Sequence, residues 1–185
     1  MKLSALIKTT SINNAVLMSS ASLIFAVIMG FSALVRIPVP GTPVPVTLQT
    51  FALFTGCAIL GKRYSMQMIF WYLILGFIGA PFFSGGSGFS YIFGATGGYL
   101  IGFVFAALFI GHLGSRNSTL SKSILAYVLA FASIYVFGTL QLKLVTGADW
   151  NTVFKMGLYP FVLFDAVKAL SAWFIARRLP IDLAR

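Results

Sequence analysis

Between Tyr64 and Gly111 the chain carries no Asp, Glu, Lys or Arg. An uncharged run of that length is enough for two helical crossings of a bilayer at about 20 residues each. The rest of the chain agrees, with 59% of its 185 residues apolar and 9% charged, against about 45–50% and about 25% in soluble domains. These features predict an all-α integral membrane protein, organised as a single membrane domain over residues 1–185.

Apolar segments fall at about 15–35, 46–60, 64–80, 95–111, 124–142 and 157–176, which predicts six transmembrane helices. The first follows Lys2 and Lys8. It exceeds the roughly 7–15 residues of a signal-peptide core and is expected to remain as an anchor. Before the second segment stand Pro38, Pro40, Pro43 and Pro45, which lack backbone donors and cannot continue a helix, so this stretch is a loop folded over or into the protein.

Six crossings put both termini on one side, together with Lys2, Lys8, Lys62, Arg63, Arg116, Lys122, Arg177, Arg178 and Arg185. The opposite side holds Arg36, Lys143 and Lys155. Nine basic residues against three follow the positive-inside pattern and predict cytoplasmic termini in a cell membrane. The external connections are then the Pro-rich loop, the Gly-rich loop from Pro81 to Gly94, and the segment from Val145 to Tyr159. Apolar, stiff external loops read as a lid and walls more than as connectors.

Several function classes drop out. The net charge of +10 is dispersed between apolar segments, without the basic run or motif that a nucleic-acid partner requires. Cys57 stands alone inside an apolar run, which excludes a disulfide framework. His112 has no Cys, Asp or Glu at ligand spacing, so no metal site is expected. No Gly-x-x-x-x-Gly-Lys-[Ser/Thr] occurs, so the chain has no P-loop for ATP.

Against that background Asp165 and Lys168 stand out, in a sequence with three acidic residues in all. An ionisable group at the centre of a membrane helix costs about 2.5–3.5 kcal/mol on insertion scales. It persists where it is paired, faces a protein interior or performs a task. Residues three apart share a helix face, so the two can pair with each other or with one ligand. If Pro160 occupies the first helical turn, Asp165 lies about two turns, or roughly 8 Å, below the outer end. If the helix starts near Met156, the pair is deeper. Ser22, Ala26 and Gly30, four apart on the first helix, form a small-residue face suited to close helix packing, with a partner or within the chain.

The segments Ile37–Thr50 with its four prolines, Phe82–Gly88, Gly94–Tyr99, and Pro160–Ala169 with its Asp165-x-x-Lys168 closely resemble the BioY family, the biotin-binding S components of energy-coupling-factor (ECF) transporters. The resemblance runs in order along nearly the whole chain. Two positions depart from the family pattern: Ala95 stands where the family usually has Pro, and Phe164 where it usually has Gly, which puts a bulky ring beside the site. The resemblance implies a six-helix prokaryotic membrane subunit that captures biotin outside and delivers it inward. Its partners would be an ECF transmembrane coupling protein and two ATPase subunits, with Ser22, Ala26 and Gly30 as the docking face. No cofactor is expected, biotin being the cargo.

Biotin's urea offers two N–H donors and a carbonyl, which a carboxylate and an ammonium complement, so Asp165 and Lys168 are the first ligand contacts; Lys168 on the valerate is the alternative. The walls should be aromatic and aliphatic, from Phe82, Phe83, Phe89, Tyr91, Phe93 and Tyr99. Backbone N–H groups at Gly85, Gly86 and Gly88, with Ser84 or Ser87, are candidates for the valerate. Gln49 either contacts ligand or satisfies the Pro-rich loop, and Arg36 either attracts the anionic ligand or marks the interface.

Rival readings are a solitary transporter, an S component for another vitamin, and an enzyme with Lys168 as nucleophile. Lysine nucleophiles need a desolvated or cation-flanked site, the opposite of an adjacent acid, so no enzyme is expected.

Overall fold

Helices form along the apolar runs and stop where Gly and Pro interrupt them. The computed structural model describes residues 2–84 and 86–179, with side chains from Asn14 onward; Gly85, Arg185 and the Lys2 and Lys8 side chains lie outside the described residues. Helix α1 spans Lys2–Ser32. Strand β1 (Arg36–Ile37) then pairs antiparallel with β2 (Val46–Thr47), Arg36 opposite Thr47. Prolines between and beside the strands deny ladder donors, which keeps the pairing to two residues a side. The resulting loop is fastened at its tip by the Thr42 hydroxyl, which donates to the Met156 carbonyl at 2.6 Å.

Helix α2 runs Gln49–Phe77 but contains Gly61 at φ 70°, ψ −174°, a conformation that costs a glycine little and any other residue much. The chain reverses there. Gln49 Nε2 reaches Tyr72 OH at 2.6 Å and Ser65 Oγ donates to the Cys57 carbonyl at 3.1 Å, so the two arms lie antiparallel. The break expected between 60 and 64 is this corner.

After a 3-10 turn at Phe89–Phe93 come α3 (Gly97–Leu113), α4 (Leu120–Thr146), α5 (Trp150–Gly157) and α6 (Tyr159–Arg178). Within the external connection Val145–Tyr159, expected as a loop, lies the short helix α5. Asp149 caps it, accepting from Thr152 N at 3.1 Å and Thr152 Oγ1 at 2.7 Å. The Thr152 hydroxyl, and after it the backbone N–H, hold the Asp149 carboxyl below its ordinary range. Pro160 falls in the first turn of α6, where its missing N–H costs nothing. Asp165 therefore lies early in α6.

Asn14–Ser32, Leu120–Thr146 and Trp150–Arg178 are long and apolar enough to cross a membrane, and Gly97–Leu113 is a shorter apolar helix. Large apolar side chains point outward, among them Ile24, Ile28 and Phe31 on α1 and Leu163, Leu170 and Phe174 on α6. Ser22, Thr50, Ser133, Thr139 and Asp165 are buried. Apolar outside and partly polar inside is the arrangement hydrocarbon surroundings favour. Helices α3 and α4 meet backbone to backbone: a Cβ at Gly98 would lie 2.1 Å from the Phe137 carbonyl oxygen, and one at Gly102 2.5 Å from Ile134 Cα.

The small-residue face of α1 requires a correction. Ser22 and Ala26 are wholly buried, and a Cβ on Gly30 would come within 2.3 Å of the Phe82 ring. These residues pack inside the chain, where the close approach serves the molecule's own core, and are not available as a docking face.

Candidate ligand-binding site

The ends of the helices away from Gly61 enclose a cleft. It is lined by Val44, Pro45 and Val46 of the Pro-rich loop, Gln49 and Thr50 of α2, Ser84 and Tyr91 of the Gly-rich segment, Tyr99 and Phe103 of α3, Tyr135 of α4, and Phe161, Asp165 and Lys168 of α6. The space between them, including the open mouth, is about 560 Å³.

At its floor Asp165 and Lys168 form an ion pair of 2.8 Å, on side chains 8% and 13% exposed. Two neighbours that sequence reasoning missed complete it. The Thr50 hydroxyl donates to Asp165 Oδ1 at 2.8 Å, the Tyr135 hydroxyl donates to Oδ2 at 2.8 Å, and Lys168 Nζ donates to Thr50 Oγ1 at 3.3 Å. A carboxylate has about four acceptor positions and an ammonium three donors. With three acceptor positions and two donors engaged, the pair offers one acceptor beside one donor. That is the complement of an amide or urea edge.

Gln49 lines the cleft, yet its polar atoms brace the loops. Nε2 donates to Tyr72 OH and, at 3.0 Å, to the Phe82 carbonyl; Oε1 accepts from Ser84 Oγ at 2.9 Å. Ser84 sits at φ 50°, a left-handed conformation uncommon for a residue with a side chain. Its carbonyl accepts from Arg36 Nη1 at 2.8 Å. Phe83 and Gly86 exchange backbone hydrogen bonds of 3.0 Å around the turn.

The aromatic candidates divide. Tyr91 and Tyr99 present their rings to the cleft while their hydroxyls are used elsewhere: Tyr91 accepts from Thr96 Oγ1 at 2.8 Å and Tyr99 donates to the Gly157 carbonyl at 2.8 Å. Phe82, Phe83 and Gly86 do not line it, a correction to the expected ligand contacts. Phe83 is buried between Tyr72, Phe77 and Tyr91, and Phe82 packs on Phe31 and Gly30. Phe89 and Phe93 are exposed. Phe164, expected beside the site, is 55% exposed and is not among the residues lining the cleft, so the substitution at that position leaves the cleft's walls untouched. Gln141, also missed, reaches from α4 to the Ile92 carbonyl and, at 2.7 Å, to that of Gly94. It fixes the segment leading into α3.

Comparison with known proteins converges on one group. The biotin transporter BioY of Thermotoga maritima is 35% identical over 144 residues, 77% of this chain and 85% of that protein. The biotin transporter BioY2 of Lactococcus lactis is 39% identical over 131 residues, 69% of this chain and 71% of that protein. The crystal structure of the S-component for biotin from an ECF-type ABC transporter superposes with a TM-score of 0.80 at 24% identity, covering 90% of this chain and 92% of that one. The fold is shared. With the BioY family model matching residues 7–185, the chain belongs to the BioY family.

Proposed function

We propose that this chain is a biotin-binding membrane subunit that mediates biotin uptake, energised by an ECF coupling protein and two ATPase subunits. The observation that carries this reading is the Asp165–Lys168 pair at the floor of an apolar cleft, with one acceptor and one donor still open. Asp165 takes a urea N–H and Lys168 donates to the urea carbonyl; such charge-assisted bonds contribute about 1.5–3 kcal/mol each. Tyr91, Tyr99, Phe103 and Phe161 supply apolar walls for the thioether ring. The names of the relatives, biotin transporters across bacteria and archaea, support the same ligand.

In this reading α1, both arms of α2, α3, α4 and α6 cross the membrane as one domain. The Gly61 end carries Lys62, Arg63, Arg116, Lys122, Arg177 and Arg178 and faces the cytoplasm with both termini. The cleft then opens outward. The chain acts by binding and delivery, without chemistry on its cargo and without a resident cofactor, and ATP is used by its partners.

The test is equilibrium binding of biotin to the purified, detergent-solubilised chain, with desthiobiotin, thiamine and riboflavin as competitors. Saturable binding displaced by desthiobiotin but not by the other two vitamins is expected. Folded protein that does not bind biotin would sink the proposal.

A further inference from the structure

Helix α5 stands between α4 and α6, which cross the membrane in the reading given above. Its 8 residues reach about 12 Å, far short of a bilayer core of about 30 Å. In that reading it lies at the outer surface of the membrane.

The faces of α5 differ in content. Val153 and Gly157, four apart, are buried, and a Cβ on Gly157 would meet the Tyr99 hydroxyl at 2.5 Å and Leu142 Cδ2 of α4 at 2.8 Å. Trp150 and Phe154, also four apart, come next around the helix, and Tyr159 continues their row. Ring centroids are 5.6 Å apart in the first pair and 6.3 Å in the second, with Trp150 45% and Tyr159 59% exposed. Asn151, Thr152 and Lys155 form a third face and are exposed. A buried face, an aromatic edge and a polar back, in that order, suit a helix lying in the plane of a membrane interface, where Trp and Tyr are enriched. Lys143, over the Trp150 ring at 5.0 Å, sets a cation at the same level.

The C-terminal turn of α5 supports the cleft. The last carbonyls of a helix have no partner within it. Here that of Met156 accepts from the Thr42 hydroxyl, at the tip of the Pro-rich loop, at 2.6 Å. That of Gly157 accepts at 2.8 Å from Tyr99, whose ring lines the cleft. One loop and one wall are thus hung on the same short helix that bears the exposed tryptophan.

Resting on the reading of α4 and α6 as crossings and of the cleft as the biotin site, we propose that the outer lipid interface is a binding partner of α5. Trp150, Phe154 and Tyr159 seat the helix at the boundary of headgroups and acyl chains, and this seating sets where Thr42 and Tyr99 are held. The bilayer surface is then part of what shapes the cleft.

The experiment reconstitutes the full chain in phosphatidylcholine vesicles whose lipids are brominated either near the headgroup or near the chain ends. The difference in fluorescence between wild type and Trp150→Tyr isolates Trp150 from Trp71 and Trp173. Bromine near the headgroup should quench Trp150 more than bromine near the chain ends. Stronger quenching by the deep bromine would overturn the inference, as would quenching by neither, the result expected if a second copy or another protein covers this edge. Biotin titration in the same vesicles tests the link to the cleft. Thr42→Val and Trp150→Ser should each weaken biotin about 2- to 10-fold, the range of one neutral hydrogen bond. The double variant should be no weaker than the worse single one, because both cut the same connection, and Trp150→Tyr, which keeps an interfacial ring, should restore most of the affinity. Additive losses, or unchanged affinity in Trp150→Ser, would overturn the link. Folded wild-type protein that binds no biotin would sink the functional reading instead, with the quenching still deciding where α5 lies.

Discussion

The two ends of the helix bundle are built on different principles. At the cleft end, side chains distant in sequence are joined by hydrogen bonds: Thr50 and Tyr135 to Asp165, Gln49 to Tyr72 and Phe82, Thr42 to Met156, Tyr99 to Gly157. At the Gly61 end the connections are short and closed largely by backbone, as where Arg116 N donates to the Ala58 carbonyl at 2.9 Å and Gly114 N to that of Ile110 at 2.8 Å, with small residues bringing helices together. Van der Waals packing is one of the forces that hold a helix bundle together in hydrocarbon, beside interhelical hydrogen bonds and lipid entropy. Side-chain bonds between distant segments also occur at the Gly61 end, as from Arg177 Nη1 to the Ser118 carbonyl at 2.9 Å, but those that converge on the ion pair lie in the cleft, so a change there should register in affinity while one at the Gly61 end should register in stability.

The largest effect should follow from Asp165→Asn. It leaves Lys168 without its counter-charge, typically a loss of about 3–5 kcal/mol for a buried pair, and falls on the bound state as roughly two to three and a half orders of magnitude in biotin affinity. Calorimetric titration, with circular dichroism to verify helix content, checks it; near-normal binding would break the assignment of the floor. Tyr135→Phe removes one bond to the ionised carboxylate, about 1.5–3 kcal/mol, and should weaken biotin by about 10- to 150-fold with the melting temperature little changed. Gly111→Ala tests the other end. A Cβ there would meet Ser65 Oγ at 2.6 Å and Ser65 Cβ at 2.8 Å, an overpacking that costs about 1–3 kcal/mol. Thermal melting should fall while the protein that remains folded binds biotin normally, and a matching loss of affinity would mean that the two ends are not separable. Phe164→Gly should do least. The ring is exposed on α6, so only helix propensity is lost, about 0.5 kcal/mol as the difference between Phe and Gly, and the titration curve should superimpose on that of wild type.

The sequence made the charged part of the site legible because charge in a membrane span is expensive: Asp165 and Lys168 stand out from their surroundings by cost alone. Thr50 and Tyr135 do not. A hydroxyl can satisfy itself on a nearby backbone carbonyl, as Thr55 and Thr139 do on Phe51 and Tyr135, so nothing in the sequence marks the two that turn to a carboxylate instead. Helix limits were legible where Pro or Gly enforces them, at Pro160 and around Gly61, and not where a short capped helix hides among loop residues, as α5 does behind Asp149. The direction of a helix face was the weakest reading. Spacing places Ser22, Ala26 and Gly30 together, but only the burial of Ser22 and Ala26 and the Phe82 ring against Gly30 reveal that this face turns to the chain's own interior.

The floor of the cleft joins Thr50 to Asp165 across 115 positions of sequence. During synthesis the floor of the cleft is incomplete until α6 is made and has docked against α2 and α4. Both halves of the ion pair are carried by α6, and their remaining partners, Thr50 and Tyr135, stand on α2 and α4, which precede it. Ligand binding is consequently a report on assembly from α2 to α6: a variant that inserts every helix but fails to seat α6 would be present in the membrane and blind to its cargo.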